Sequence, residues 1–408
     1  MKKRLLYLTR YFDPETSSGL TNRFLKTLDR LCSEFDVHVV LFVSGSNEYE
    51  NFIKYFRSKA INTIAIEISR MKKVKEAFKT FLIGTNFYEL YYTKAIRNFL
   101  VDYIAANNID ILYANYFYLT PIFMELISNN LVKIVDLADS VSLHMREAEG
   151  ISLARRAFYG RVKNSVLSME LRAIENADVV FITTEKEKEY FSGKINTIHL
   201  EKIHVLWNGV EEYIFNVGEQ RLAQIENKEF KLNNRIAFLG SLDYYPNNLA
   251  AIRLVSKIFP RLLAKKPELE LYIVGRNPSP ELRNLCLKND MVKLLGYVKN
   301  IDEVLLNIDM LVLPMTIASG IQNKLLTGLC SAMPVIISPR AFFSKFLIDS
   351  INVVSAESDD EYVGKILYLY ENLVEIIKIS RNSYEFAQRN LKWTDILNQY
   401  IDTISNAL

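Results

Sequence analysis

The chain has 408 residues, which sets a prior of about two or three domains. Half of it is hydrophobic and 24% is charged, with 23 Tyr and 23 Phe but only 14 Gly, which excludes collagen-like, low-complexity and disordered chains. Fifty basic against 47 acidic residues leave a net charge of +3, too balanced for a nucleic-acid binder, and three scattered cysteines (Cys32, Cys286, Cys330) form neither a disulfide framework nor a zinc cluster.

The first apolar run, Leu5–Leu8, is too short for a signal sequence, and no stretch of the length needed to span a bilayer follows it; a reducing cytoplasm is the expected location. Short runs rich in β-branched residues then alternate with helical stretches. Strands are predicted at Arg4–Thr9, His38–Val43, Thr63–Ile68, Ile111–Tyr116, Lys133–Asp139, Asp178–Thr184 and His204–Trp207. A polar stretch near Val217–Asn234 reads as a linker. Beyond it strands recur at Arg235–Leu239, Leu271–Val274, Val292–Leu295, Met310–Leu313, Pro334–Ser338 and near Val353. The stretch Asn247–Leu263 carries Leu249, Ile252, Val255, Ile258, Phe259 and Leu262 at close to a 3.6-residue period, and a last helix is expected over Ser383–Leu408.

This alternation predicts an α/β protein of two doubly wound, Rossmann-like domains, residues 1–208 and 209–382, with 383–408 packing back towards the first. Ligands of such sheets sit outside the carboxyl ends of the strands, so two facing sheets would create a cleft. Glycines fall where that cleft is expected: Gly19 after the first strand, Gly209 at the linker, and Gly240, Gly275, Gly296 and Gly320 at strand ends of the second domain.

The densest signal is IASGIQNKLLTGLCSAMP at 317–334, a strand-end loop with Gly320 running into a helix that starts near Gln322. The free N–H groups of that helix end, with Lys324, would suit a diphosphate; the same residues also read as a buried crossover helix with a solvated lysine. Loop Gly240–Asn248 (GSLDYYPNN) offers Asp243 as an acceptor and Tyr244 as a stacking ring, or simply a helix start with Pro246 and a cap from Asn247 or Asn248. GRNPSP at 275–280 and GYV at 296–298 also follow strands. In the first half, YFDPETSSGLTNR at 11–23 brings Gly19 to a strand-to-helix loop. Asp136, Asp139 and His144 form an acid–base candidate, or Asp139 caps the next helix. His38 and His204 open predicted strands and His199 lies in a predicted loop, at no metal-ligand spacing. The basic amphipathic stretch Ser69–Leu82 either touches an anionic membrane surface or packs on its own domain. Neither a G-x-S-x-G elbow nor the dinucleotide fingerprint G-x-G-x-x-G is present.

These motifs resemble family 4 glycosyltransferases of the two-domain GT-B fold, and most of all a bacterial polysaccharide subgroup with a GIQNK motif. The matching segments are NGVEEYIF (208–215), GSLDYYPN (240–247), IVGRNP (273–278), GYV (296–298) and GIQNKLLTGLCSAMPVI (320–336). The resemblance implies a retaining, metal-independent transferase without a cofactor, moving a sugar from a UDP- or GDP-linked donor to a glycan, lipid-linked or protein acceptor. It assigns Lys324 and Asp139 catalytic roles. Gly19, Gly240, Asp243, Tyr244, Arg276, Tyr297, Val298, Gly320, Ile321, Gln322, Asn323 and Thr327 fall at donor-binding positions. Two departures stand out. Ser319 and Thr327 occupy the places of two family glutamates, and Ser241 and Asn247 those of an Arg and a Lys, which concentrates the cationic role on Lys324 with Arg276 as a candidate replacement. Thr327 motivates an alternative: a catalytically silent GT-B subunit that stabilises a partner transferase.

Overall fold

The computed structural model describes residues 2–13, 19–56, 61–69, 71–76, 91–124, 126, 131–148, 153–318 and 320–408. The chain divides into two compact units, Met1–Trp207 with Leu397–Leu408, and Asn208–Ile396.

The first unit is built on strands β1 (Arg4–Arg10), β2 (Asp36–Val43), β3 (Asn62–Glu67), β4 (Ile111–Asn115), β5 (Val132–Ala138), β6 (Val179–Ile182) and β7 (Ile203–Val205). They form one parallel sheet in the order β3-β2-β1-β4-β5-β6-β7. Leu5 pairs with Val37 on one side and Ile111 on the other, so the sheet's winding reverses direction beside β1. The second unit repeats the plan with β8 (Arg235–Leu239), β9 (Glu270–Val274), β10 (Val292–Gly296), β11 (Met310–Leu313), β12 (Val335–Ile337) and β13 (Val354–Ser355), ordered β10-β9-β8-β11-β12-β13. Strands covered by helices on both faces are apolar throughout rather than alternating, which is why RLLYL, VVLFV and MLVL are readable as parallel strands. At each reversal the loops leaving the carboxyl ends diverge and open a crevice, the place where open α/β sheets bind ligands.

Four local readings change. The polar stretch after Val217 is mostly helical: Glu212–Glu226 forms a helix that buries Ile214, Val217, Arg221 and Ile225, leaving only 227–234 irregular. The carboxyl-terminal helix is two helices, Leu373–Asn390 and Trp393–Asn406. Between them Lys392 bridges Val210, and Val210 N donates to Leu391 O at 2.9 Å, so backbone pairing interrupts the helix. His199 lies in a short helix, Thr197–Glu201, and His204 lies within β7. Within Ser69–Leu82, residues 70 and 77–82 lie outside the described residues; 71–76 are helical, with Met71 and Val74 exposed. No described helix is long and apolar enough to cross a membrane.

Candidate functional site

Three loops leave the carboxyl ends of β8, β9 and β10 in the second unit and are tied to one another through the backbone. Gly240 N donates to Val274 O at 3.0 Å, Leu242 N to Arg276 O at 2.9 Å, and Gly275 N to Gly296 O at 2.8 Å. Gly275 is fixed by space: a Cβ there would lie 1.8 Å from Gly240 O. Gly275→Ala must therefore push two loops apart. It is expected to cost about 1–3 kcal/mol, read as a lowered thermal midpoint.

Side chains finish the ties. Ser241 Oγ donates to Asp243 Oδ1 at 2.6 Å and accepts from Arg276 Nε at 3.0 Å, and Asn277 Nδ2 reaches Asp243 Oδ2 at 3.2 Å. Partial burial opposes the Asp243 charge, but the Ser241 and Asn277 hydrogen bonds and the Arg276 charge hold its carboxyl below the ordinary value. Asp243 thus orders the loop and holds Arg276 nearby. Tyr244 and Tyr297 project from this edge at 45% and 66% exposure, each presenting ring surface to solvent, with Val298 beside Tyr297 half-buried.

Asn247 is no helix cap, contrary to the sequence reading. The helix Tyr245–Arg253 begins before it, with Pro246 in the first turn and no side-chain cap. Its amide instead joins two elements: Nδ2 donates to Ser241 O at 2.9 Å, and Oδ1 accepts from Lys324 Nζ at 2.8 Å.

Lys324 belongs to the helix Asn323–Cys330, which follows β11 through a loop containing Gly320 at φ +65, a conformation that favours glycine. Gln322 stands at the cap position without a side-chain cap bond, and Ile321 and Gln322 are buried. The N–H groups of Asn323 and Lys324 have no intrahelical acceptor in this first turn. Lys324 Nζ is held by neutral oxygens, Asn247 Oδ1 and Gln322 Oε1, each at 2.8 Å, and no carboxylate among the described residues pairs with it. Burial pushes its ammonium down to about 7. A cation held by dipoles without a countercharge is electrostatically prepared for an anion. Asn208 Nδ2 donates to Asn323 Oδ1 at 3.2 Å, and Thr327 Oγ1 donates to Asn323 O at 3.0 Å. The Thr327 proton is therefore committed to the helix, leaving lone pairs for an incoming donor. Ser319 lies outside the described residues.

The remaining candidates belong to the first unit. Gly19 opens the helix Gly19–Glu34, and the preceding residues 14–18 lie outside the described set. Asp139 follows β5 and bonds Thr183 Oγ1 at 2.9 Å instead of capping the helix Val141–Ala148. That helix start is satisfied from elsewhere: Val141 N and Ser142 N donate to Glu170 Oε1 at 2.6 and 3.3 Å, and Ser140 N donates to Glu187 Oε1 at 2.5 Å. Asp136 is not a reactive acid. It is wholly buried against Arg23, Nε to Oδ2 at 3.1 Å, and accepts from Tyr400 OH at 2.7 Å and Ala138 N at 2.8 Å. Arg23, Glu170 and Glu187 were not singled out by the sequence. The available signal is an arginine on the buried stripe of an amphipathic helix and an aspartate inside the apolar strand VKIVDLA.

Residues 233–372 match the family described as "Glycosyl transferases group 1". No curated protein matches the chain in sequence. Its structure is similar to sucrose-phosphate synthase from Thermosynechococcus elongatus, with TM-score 0.70 at 15% identity over 99% of both chains. Anabaena HepE in complex with UDP and glucose gives TM-score 0.66 at 15% identity, covering 99% of this chain and 100% of that one. A glycosyltransferase from Rickettsia africae gives 0.65 at 13% identity, covering 100% and 98%. Together with the two parallel sheets these likenesses establish the GT-B fold.

Proposed function

From a GT-B fold whose second unit carries a group 1 glycosyltransferase domain, we propose that the protein transfers a sugar from a nucleotide diphosphate donor to a glycan, lipid-linked or protein acceptor. The observation that carries this reading is the Lys324 ammonium at a helix N-terminus, held by neutral carbonyls beside interlocked loops. Cleavage of the sugar–phosphate bond places negative charge on the leaving diphosphate. Lys324 and the N–H groups of Asn323 and Lys324 supply stabilisation there without reorganising, in a retaining reaction that needs no metal ion. Arg276, steered by Ser241 and Asp243, adds a second cation. Tyr297 and Val298 take the base, Tyr244 lines the same edge, and Thr327 accepts from the ribose. Gly320, Ile321 and Gln322 shape the phosphate loop, with Gly240 allowing close approach; UDP-bound HepE supports a uridine donor, with GDP as the alternative. In the first unit Gly19 serves the phosphate side and Asp139 the acceptor side. The proposed location is cytoplasmic, with Ser69–Leu82 as the segment that would meet a membrane-held acceptor.

Thermal melting with UDP, GDP and their sugar conjugates tests the reading. A binding nucleotide at a hundred times its Kd is expected to stabilise the protein by about 2.7 kcal/mol, a rise of several degrees. A flat response to every nucleotide diphosphate would reject the donor site. The second reading, a silent GT-B subunit supporting a partner transferase, is favoured by the short neutral side chain of Thr327. Transfer or hydrolysis of any nucleotide sugar by the purified chain removes it.

A further inference from the structure

At the carboxyl ends of β5 and β6, Asp139 sits in a network that the donor loops do not use. The chain turns after β5 through Ala138, at φ +54, with a register shift against β6. This bend sets Asp139 Oδ1 2.9 Å from Thr183 Oγ1, and the same hydroxyl lies 3.0 Å from Glu187 Oε2. A hydroxyl has one proton and donates to only one acceptor in such an arrangement. The carboxyl that does not receive the Thr183 proton faces a lone pair of that hydroxyl across 2.9–3.0 Å, a contact that a proton on that carboxyl turns into a hydrogen bond.

The surroundings say which. Burial raises the Asp139 carboxyl overall; the Thr183 hydrogen bond and then Arg23, from the helix Gly19–Glu34, favour its anion, and Asp136 opposes it. Glu187 is 1% exposed and has no cation among its hydrogen-bond partners: Ser140 N, Thr183 Oγ1, Thr184 N and Thr184 Oγ1. Burial first, and then the Asp139 charge, push it up to about 8. Glu170, from the helix Leu153–Asn176, accepts from Ser140 and Ser142, and Ser142 Oγ reaches Tyr190 OH at 3.2 Å.

Building on the acceptor-side role of Asp139, we propose that Glu187 is its positioning residue. Glu187 holds one proton at neutral pH and donates it to Thr183 Oγ1, while Thr183 donates its own proton to Asp139 Oδ1. Asp139 stays ionised, its Oδ2 (bonded to nothing among the described residues) accepting from a sugar hydroxyl. The proton count balances: two carboxyls, one retained proton, one bridging hydroxyl.

Infrared titration of the full chain reads this without donor or turnover. A protonated-carboxyl band is expected to persist at neutral pH and to titrate near pH 8, and Glu187→Gln removes that step. Asp139→Asn removes the like charge and lowers the step by about one pH unit. Glu170, pushed up to about 7 by burial, gives a separate step that Glu170→Gln identifies. A spectrum unchanged by Glu187→Gln, or a step unmoved by Asp139→Asn, overturns the proposal. In turnover, Glu187→Ala is expected to lower kcat about tenfold at unchanged donor KM, with Glu187→Gln recovering most of it because its amide donates to Thr183 as the protonated acid does. A wild-type chain without transfer would count against the transferase reading, and the infrared result would still decide the shared proton.

Discussion

Lys324→Met is expected to lower kcat by about 10²–10³, or about 2.7–4 kcal/mol of transition-state stabilisation, while the thermal midpoint moves little. The side chain is held by two neutral oxygens, so its removal leaves Asn247 Oδ1 and Gln322 Oε1 each without that donor. Against this, the fold no longer pays for burying an ammonium whose desolvation holds it at about 7 instead of near the ordinary lysine value. The terms oppose, so stability is nearly conserved where catalysis is not. The sign of the pH dependence follows. A lysine depressed on folding contributes stability that is present above its unfolded value and lost as pH falls through about 7. A bound diphosphate reverses the preference by favouring the ammonium, so donor binding takes up a proton. Nucleotide Kd should then rise by up to about tenfold per pH unit above 7, a slope that Lys324→Met abolishes. Calorimetric titration in buffers of different ionisation enthalpy measures the proton directly; unchanged kcat in the variant would remove Lys324 from the chemistry.

The architecture and the glycine-led loops at the strand ends of the second unit were legible because their signals are local. An apolar run such as MLVL states a strand buried on both faces, and Gly240, Gly275 and Gly320 mark places where the chain leaves the sheet. What escaped the sequence depends on partners far apart along it. Asn247 fits a capping pattern until Lys324, 77 positions away, is brought against its carbonyl. Glu187 forms the capping box with Thr184 that its spacing allows, yet its other oxygen receives Ser140 N from 47 positions away. The break before Trp393 carries no Pro or Gly; it arises from pairing with Val210, which no helical period encodes. Arg23 looks like one more charge on an amphipathic helix until Asp136 lies beside it, 113 positions on.

Asp136→Ala is expected to destabilise the first unit by about 3–5 kcal/mol, because it leaves Arg23 buried without its countercharge. The Arg23 and Asp136 side chains are 1% and 0% exposed, so water cannot repair the loss. Burial works against the Arg23 charge, and the neighbouring carboxylate overcomes that cost and raises the guanidinium above its ordinary value. The same carboxylate accepts from Tyr400 OH at 2.7 Å, Tyr113 OH at 3.3 Å and Ala138 N at 2.8 Å, so its loss also strips three donors of an acceptor. Arg23 keeps its bond to Leu206 O at 2.9 Å and its place over the Tyr400 ring, 5.2 Å from the centroid, but neither supplies a countercharge. Removing both charges behaves differently: Arg23→Met with Asp136→Leu leaves no uncompensated ion and should recover most of the loss. At roughly 2–4 °C per kcal/mol for a unit of this size, the single variant lowers its melting transition by about 10 °C. Denaturant unfolding of both variants and of Tyr400→Phe measures how the energy divides. A cost below about 1 kcal/mol for Asp136→Ala would place the pair in water, against the burial seen here.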